Sequence, residues 1–346
     1  MEDIIFWLIK LIAFDTSCGG EDAEACRDFI MDELSRQSVS VYPFDTESSS
    51  RRAFHLLSEV TGDSPASVML HAHLDTADFG DELSWAAHPR SGLRRKGCIL
   101  GRGALDCKGP LAVWMKLMCD AAKGNLPFTL KLLVTDLEEE GGEDGLGKLL
   151  SLHPEITDDV KLVIGEGGGY PFLFREKIFY TFQTGEREDA RDSGSGDGYS
   201  REDIGRILLA GAKKGYYSMD ILDYFSGYAS ITGRRMELEP LYCGMEDFFE
   251  KAPESRLYER FGEVFERALR KHVPRAALMP AITPGYSDNR FFRALGIPAA
   301  GFFPLDPSNS LSGIHGKNEY ISEASLCLAY AVLSDAIKEL TEHILM

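Results

Sequence analysis

The stretch FTLKLLVT at residues 128–135, continued by DLEEEGG at 136–142, decides how this chain folds. A short apolar run rich in Leu, Val and Thr and followed by glycines reads as a buried strand. It stops on consecutive carboxylates, Glu138, Glu139 and Glu140, which repel one another unless cations compensate them. The same shape recurs on either side. Ser67–His73 is an apolar run leading into His71-Ala-His73-Leu-Asp75, and Leu162–Gly165 leads into Glu166 and three glycines. Between the first two, Leu111–Ala122 has helical periodicity behind a Gly109-Pro110 start signal. Strands alternating with helices predict an α/β fold, a mostly parallel sheet sandwiched by helices.

Further out the character changes. After about residue 177 a polar, glycine-rich stretch (Gly185–Gly198) reads as an exposed loop. Helices are expected at Arg201–Lys213 and Glu254–His272, with strands near Ser218–Ile231 and Arg235–Tyr242. From Ser287 the α/β style returns, with a helix at Asp288–Leu295, a strand at Pro298–Phe303 and a last helix from Ser322. The simplest organisation is a catalytic domain in two parts, 1–176 and 281–346, interrupted by an inserted α+β lid at 177–280. A chain of 346 residues has room for both.

Bulk properties exclude some functions. The formal charge is -18, from 37 basic and 55 acidic residues, so nucleic acid and anionic membranes are discounted as partners. Ile4–Phe14 resembles a signal sequence only superficially: Glu2, Asp3 and Lys10 flank or interrupt it, and its apolar spacing is that of an amphipathic helix. No run approaches the roughly 20 apolar residues of a membrane span. Seven scattered cysteines without a CxxC pair argue against a disulfide framework and for a reducing, cytoplasmic setting.

Five places carry candidate metal ligands, each at an expected strand-to-loop junction. They are His73 with Asp75 two residues on, Asp106 in GRGALDCKG (101–109), the glutamate triplet, Glu166 and His315. A carboxylate beside a ligand histidine can accept its second N–H and fix the tautomer. Taken singly, each has a bland alternative: a satisfied strand-end histidine, a helix cap, an acidic turn. Glycines 165–169 invite comparison with a dinucleotide loop, but Tyr170-Pro171 follows where a helix should open. Nitrogen and oxygen donors without thiolates suit zinc, or cobalt or manganese, at a catalytic site.

Taken in order, these motifs resemble the dinuclear zinc aminoacylases, carboxypeptidases and deacylases of metallopeptidase family 20, over nearly the whole chain. The resemblance implies that His73 is a ligand supported by the catalytic carboxylate Asp75, and that Asp106 bridges two ions. Aligning Val134-Thr135 and Gly141-Gly142 makes Glu138 the base and Glu139 a ligand; a register one residue later, Glu139 and Glu140, remains open. Leu137 stands where the family has Asp. Glu166, in a Glu-Gly-Gly context like that of the carboxypeptidase and aminoacylase branches, and His315, after an aminoacylase-like Ser287–Pro298 segment, complete the set.

The implied activity is metal-assisted hydrolysis of an amide bond beside a free carboxylate, in a small peptide or N-acyl amino acid. Two zinc ions are the implied cofactors, and a homodimer through the lid the implied assembly. Arg290, Arg191, Arg234 and Arg235 are candidate partners of the substrate carboxylate. In the family the lid carries a histidine in an Ala-His-Ser-like context. The matching stretch here is Ala190-Arg191-Asp192-Ser193, which leaves Arg191 as the candidate oxyanion partner, and His272 is the single histidine of 177–280. Alternatives are a silent metal- or peptide-binding relative, a deacylase of the acetylornithine or succinyl-diaminopimelate type and, more remotely, a nucleotide-dependent oxidoreductase.

Overall fold

The computed structural model describes residues 1–49, 51–174, 177–186, 257–283, 287–311 and 313–345. In chain order the main elements are α1 (Glu2–Ala13), α2 (Ala23–Ser35), β1 (Ser40–Glu47), β2 (Arg52–Val60), β3 (Ser67–His73), β4 (Leu93–Arg95), β5 (Cys98–Leu100), α3 (Lys108–Ala121), β6 (Thr129–Thr135), α4 (Lys148–Leu152) and β7 (Val160–Gly165). They continue with β8 (Pro171–Phe174), β9 (Lys177–Glu186), α5 (Glu263–His272), β10 (Ala276–Thr283), α6 (Asn289–Ala294), β11 (Ala299–Gly301), β12 (Tyr320–Ser322), α7 (Glu323–Glu339) and α8 (Thr341–Leu345).

The large sheet runs β1-β2-β6-β3-β7-β11-β9-β10, with β8 paired to β9. Its centre, β6, β3, β7 and β11, is parallel. β1 and β2 are antiparallel additions on one side, and β9 meets β11 antiparallel on the other. Parallel pairing aligns the carboxyl ends: His73 lies opposite Thr135. The segments carrying His73, the glutamate triplet and Glu166 therefore leave the sheet along one edge. β4, β5 and β12 form a small separate sheet.

The period-two pattern of the strands builds a core on each face. Val68, Leu70 and Ala72 of β3, with Leu130, Leu132 and Val134 of β6, share a core with residues of α1, α2, α3, α5 and α7. The alternate residues Met69, Leu133 and Val163 pack with Leu149 and Leu150 of α4 and Phe292 of α6. Trp114 of α3 is fully buried, and its indole N–H donates to the His71 carbonyl at 3.1 Å, holding α3 against β3. Truncating Leu70 to Ala costs about 2–5 kcal/mol, since the side chain is wholly enclosed.

The α/β sandwich expected from sequence is present. The margins of the expected lid are not separate from it. β9 and β10 pair with each other in the large sheet, and α5 shares the core of α7, so 177–186 and 257–283 belong with the sheet. The span 177–280 expected for an inserted lid thus includes β9, α5 and most of β10. Residues 187–256, with the helix expected at 201–213, the strands expected at 218–231 and 235–242, and Arg191, Arg234 and Arg235, lie outside the described residues. Among the described residues no helix is long and apolar enough to cross a membrane, and the six cysteines are free thiols.

Candidate metal centre

His73, the last residue of β3, is fully buried. Its Nδ1–H donates to the main-chain carbonyl of Asp75 at 3.0 Å, which leaves Nε2 facing the Asp106 carboxylate at 3.1 Å. The expected support from Asp75 is therefore divided. Its carbonyl oxygen fixes the tautomer, and its carboxylate Oδ1 lies farther from the ring, at 3.5 Å. Asp75 Oδ2 instead accepts the Glu139 N–H at 2.9 Å, joining the histidine turn to the glutamate loop. Burial would raise the Asp75 carboxyl, but His73 and the Glu139 and Glu138 amides outweigh it and hold the group low.

Asp106 ends the glycine-bearing loop before α3. Gly103 has φ +81, and an added Cβ would come within 2.8 Å of Thr76 and 2.9 Å of Lys108, so the loop needs glycine there. The loop is shaped by Glu319, which the sequence pattern did not single out as functional. Glu319 is fully enclosed; Oε1 accepts the amides of Leu105 and Asp106 at 2.8 and 3.0 Å. Its Oε2 accepts from the Gly103 amide and the Arg102 guanidinium at 3.1 and 2.9 Å. A buried carboxylate with four donors is a rigid clamp. The available signal was an acid four residues after His315, in GKNE.

The clamped Asp106 offers one oxygen to each side. Oδ1 lies 3.1 Å from His73 Nε2, and Oδ2 lies 3.1 Å from His315 Nε2. On the first side Glu166 Oε2 is 3.7 Å from His73 Nε2. On the second, Glu139 Oε2 is 3.0 Å from His315 Nε2, and its other oxygen accepts the Ala77 amide at 2.9 Å. Ligand atoms at 2.0–2.1 Å from a tetrahedral ion are about 3.3 Å apart, so these separations are of the size that metal ligands have, in two groups meeting at Asp106.

Electrostatics points the same way. Burial, followed by the charge of Asp106, pushes Glu166 up to about 8. Contacts with Asp106 and Glu139 push His315 up to about 11. Burial would raise Asp106, but His315 and His73 hold it well below the usual carboxylate range. Carboxylates this close repel one another unless a counter-charge lies among them, and divalent cations supply one. The donor set therefore fits two metal ions.

Glu138 sits just off these two groups, its Oε2 3.9 Å from His73 Nε2. Burial, and beyond it the negative Glu166, Asp288 and Glu139, hold its carboxyl well above the ordinary range against the pull of His73. Glu140 is exposed and 4.0 Å from Arg51. The loop thus aims Glu139 at His315 and leaves Glu138 beside His73. Leu137, at φ +71, is buried, while Asp136 is held by Arg51 through bonds of 2.6 and 2.7 Å.

Other residues occupy different places from those foreseen. Arg290 donates to Glu143 Oε1 at 2.7 Å and to the Gly141 carbonyl, so its guanidinium braces the glutamate loop. His272 Nε2–H donates to the Asp335 carboxylate at 3.0 Å, between helices α5 and α7. Asn289, also missed, donates to the Glu166 carbonyl at 3.0 Å and to Gln183 Oε1 at 2.7 Å; Gly165 leaves room for it, since a Cβ there would lie 2.3 Å from its Oδ1.

Comparisons with known proteins identify a family and a shared fold. The model of peptidase family M20/M25/M40 matches residues 69–339. The cysteinylglycine-S-conjugate dipeptidase of Corynebacterium striatum is 36% identical over 111 residues, 32% of this chain and 24% of that protein. The succinyl-diaminopimelate desuccinylase of Variovorax paradoxus is 28% identical over 129 residues, 36% of this chain and 33% of that protein. These matches thus span a quarter to a third of the relatives. The M20 metallo-carboxypeptidase Sso-CP2 of Sulfolobus solfataricus has the same fold, with a TM-score of 0.68 at 16% identity, covering 99% of this chain and 100% of that one. Human carnosine dipeptidase 1 superposes with a TM-score of 0.63 at 14% identity, covering 99% and 97%. With its family model matched over most of its length and the ligand types gathered at one sheet edge, the chain belongs to peptidase family M20/M25/M40.

Proposed function

We propose that this chain hydrolyses an amide bond beside a free carboxylate in a small peptide or N-acyl amino acid. Two metal ions, zinc with cobalt or manganese as substitutes, would be held by His73, Asp106 and Glu166 on one side and by Asp106, Glu139 and His315 on the other. The observation that carries the reading is Asp106, whose two oxygens each lie 3.1 Å from a different histidine. When bound, the ions supply Lewis acidity toward the scissile carbonyl and acidify the attacking water.

The protein's own groups then move the proton. Glu138 takes it from the water and returns it to the leaving nitrogen, a task suited to a carboxyl raised by burial. Asp75 orients His73 through its carbonyl and Glu139 through its carboxylate. A small open cleft, lined by Leu105, Pro110, Tyr170, Phe303, Leu305 and Ile314, lies beside Asp106 and Glu166 and suits an apolar substrate group.

The names of the relatives set the panel: dipeptides, cysteinylglycine S-conjugates, and N-acetyl and N-succinyl amino acids. Metal content and turnover are measured with and without chelator. Hydrolysis of at least one class, abolished by chelator and restored by zinc, is the expected result. A protein carrying two ions that turns over none of the panel is instead a silent binder. The sequence gives that second reading one specific support, the absence of any histidine between 177 and 271.

A further inference from the structure

The donors at the two positions are not equivalent. Beside His73 and Glu166 lies a third donor, the thiol of Cys107; one ligand atom from each of the three falls within 4.8 Å of the others. The second group is Asp106, Glu139 and His315, with oxygen and nitrogen donors alone.

Cys107 is the N-cap residue of α3, a place where Ser, Thr, Asp or Asn would satisfy a free helix amide. Its side chain makes no capping bond and is fully buried. A buried cysteine is ordinarily inert packing. This one is set against an imidazole and a carboxylate instead, in contact with the His73 ring.

We propose that Cys107 Sγ is a protein ligand to the ion at the His73–Glu166 position. This rests on the dinuclear reading above. The metal–sulfur bond forms as the thiol releases its proton, as for any coordinating cysteine. That position would then be served by four protein donors, His73, Asp106, Glu166 and Cys107, enough to hold an ion firmly. The other has three protein donors and keeps an open place for water or substrate. A thiolate also makes the first position soft, preferring zinc, cobalt or cadmium to manganese or magnesium.

Cobalt(II) titration of the metal-free full-length protein tests this without reference to turnover. The expected result is a near-ultraviolet sulfur-to-cobalt charge-transfer band that grows with the first equivalent of cobalt and stays constant through the second. The band is absent from Cys107→Ser and Cys107→Ala and unchanged in Cys18→Ser, whose thiol is exposed. In Cys107→Ser the first ion binds more weakly, by at least the about 10–100-fold that losing an outer-sphere support costs. Two bound cobalt ions without the band in the unaltered protein overturn the thiolate and leave the dinuclear reading standing. A band that persists in Cys107→Ser also overturns it. A protein that binds no cobalt overturns both.

Discussion

The His73 side and the His315 side of the candidate metal centre each present a histidine and a glutamate, in opposite settings. His73 grows out of a central strand, has 0% exposure and is oriented by Asp75. His315 stands on a loop at φ +53 with 45% of its side chain exposed, between Asp106 and Glu139. One histidine is placed by the sheet, the other by the carboxylates it meets. The first position can be rigid and tight, while the second stays accessible to water and substrate. Asp106, clamped by Glu319, couples the two.

Removing that coupling should have the largest effect. Asp106→Ala should abolish turnover and reduce bound metal from two ions to near none by elemental analysis; retention of both ions breaks the bridging role. Glu138→Gln comes next. It should keep both ions and lose about 10²–10⁴-fold in kcat, the contribution of a general base. Unchanged kcat would move the base to a neighbour.

Chelator kinetics probe the contrast directly. Metal should leave in two phases, the fast one assigned to the His315 side because it disappears in His315→Ala. A single phase in the unaltered protein would mean that exposure does not separate the positions.

The pH dependence of stability follows from the same groups. Without metal, Glu166 at about 8 and His315 at about 11 both retain protons that the unfolded chain releases from ordinary values of 4.5 and 6.5. The folded state therefore binds more protons, and metal-free stability should fall as pH rises from 6.5 through about 8. With metal bound the fall should vanish, because the ions replace those protons. Melting curves with and without zinc across that range check it; a fall of equal size in both states counts against the shared site.

The smallest effect is expected at Arg290. Its pairing with exposed Glu143 makes Arg290→Ala worth about 1 kcal/mol or less, with KM unchanged. A large rise in KM would restore it as a partner of the substrate carboxylate.

Much of this was legible in the chain itself. Short apolar runs at 67–73, 128–135 and 162–165 announce buried strands, because both faces of each must meet a core. The residues at their ends, His73, Glu138, Glu139 and Glu166, stood out because charge at the end of a buried strand calls for a counter-charge. The antiparallel strands β1 and β2 were not foreseen, since their pairing depends on a partner rather than on local pattern. Nor does local pattern show that β9 and β10 pair in the large sheet, because a strand's sheet is chosen by its neighbours.

The sequence by itself determined which donors exist and which strands carry them. Only the tertiary structure decided how they divide. It brought Asp106 between histidines 242 positions apart in number (73 and 315), turned Glu139 rather than Glu140 toward His315, gave Arg290 to Glu143, and set Cys107 beside His73. Local composition lists the groups able to bind a cation. Distance and burial, which depend on chain segments far apart in sequence, decide which of them meet.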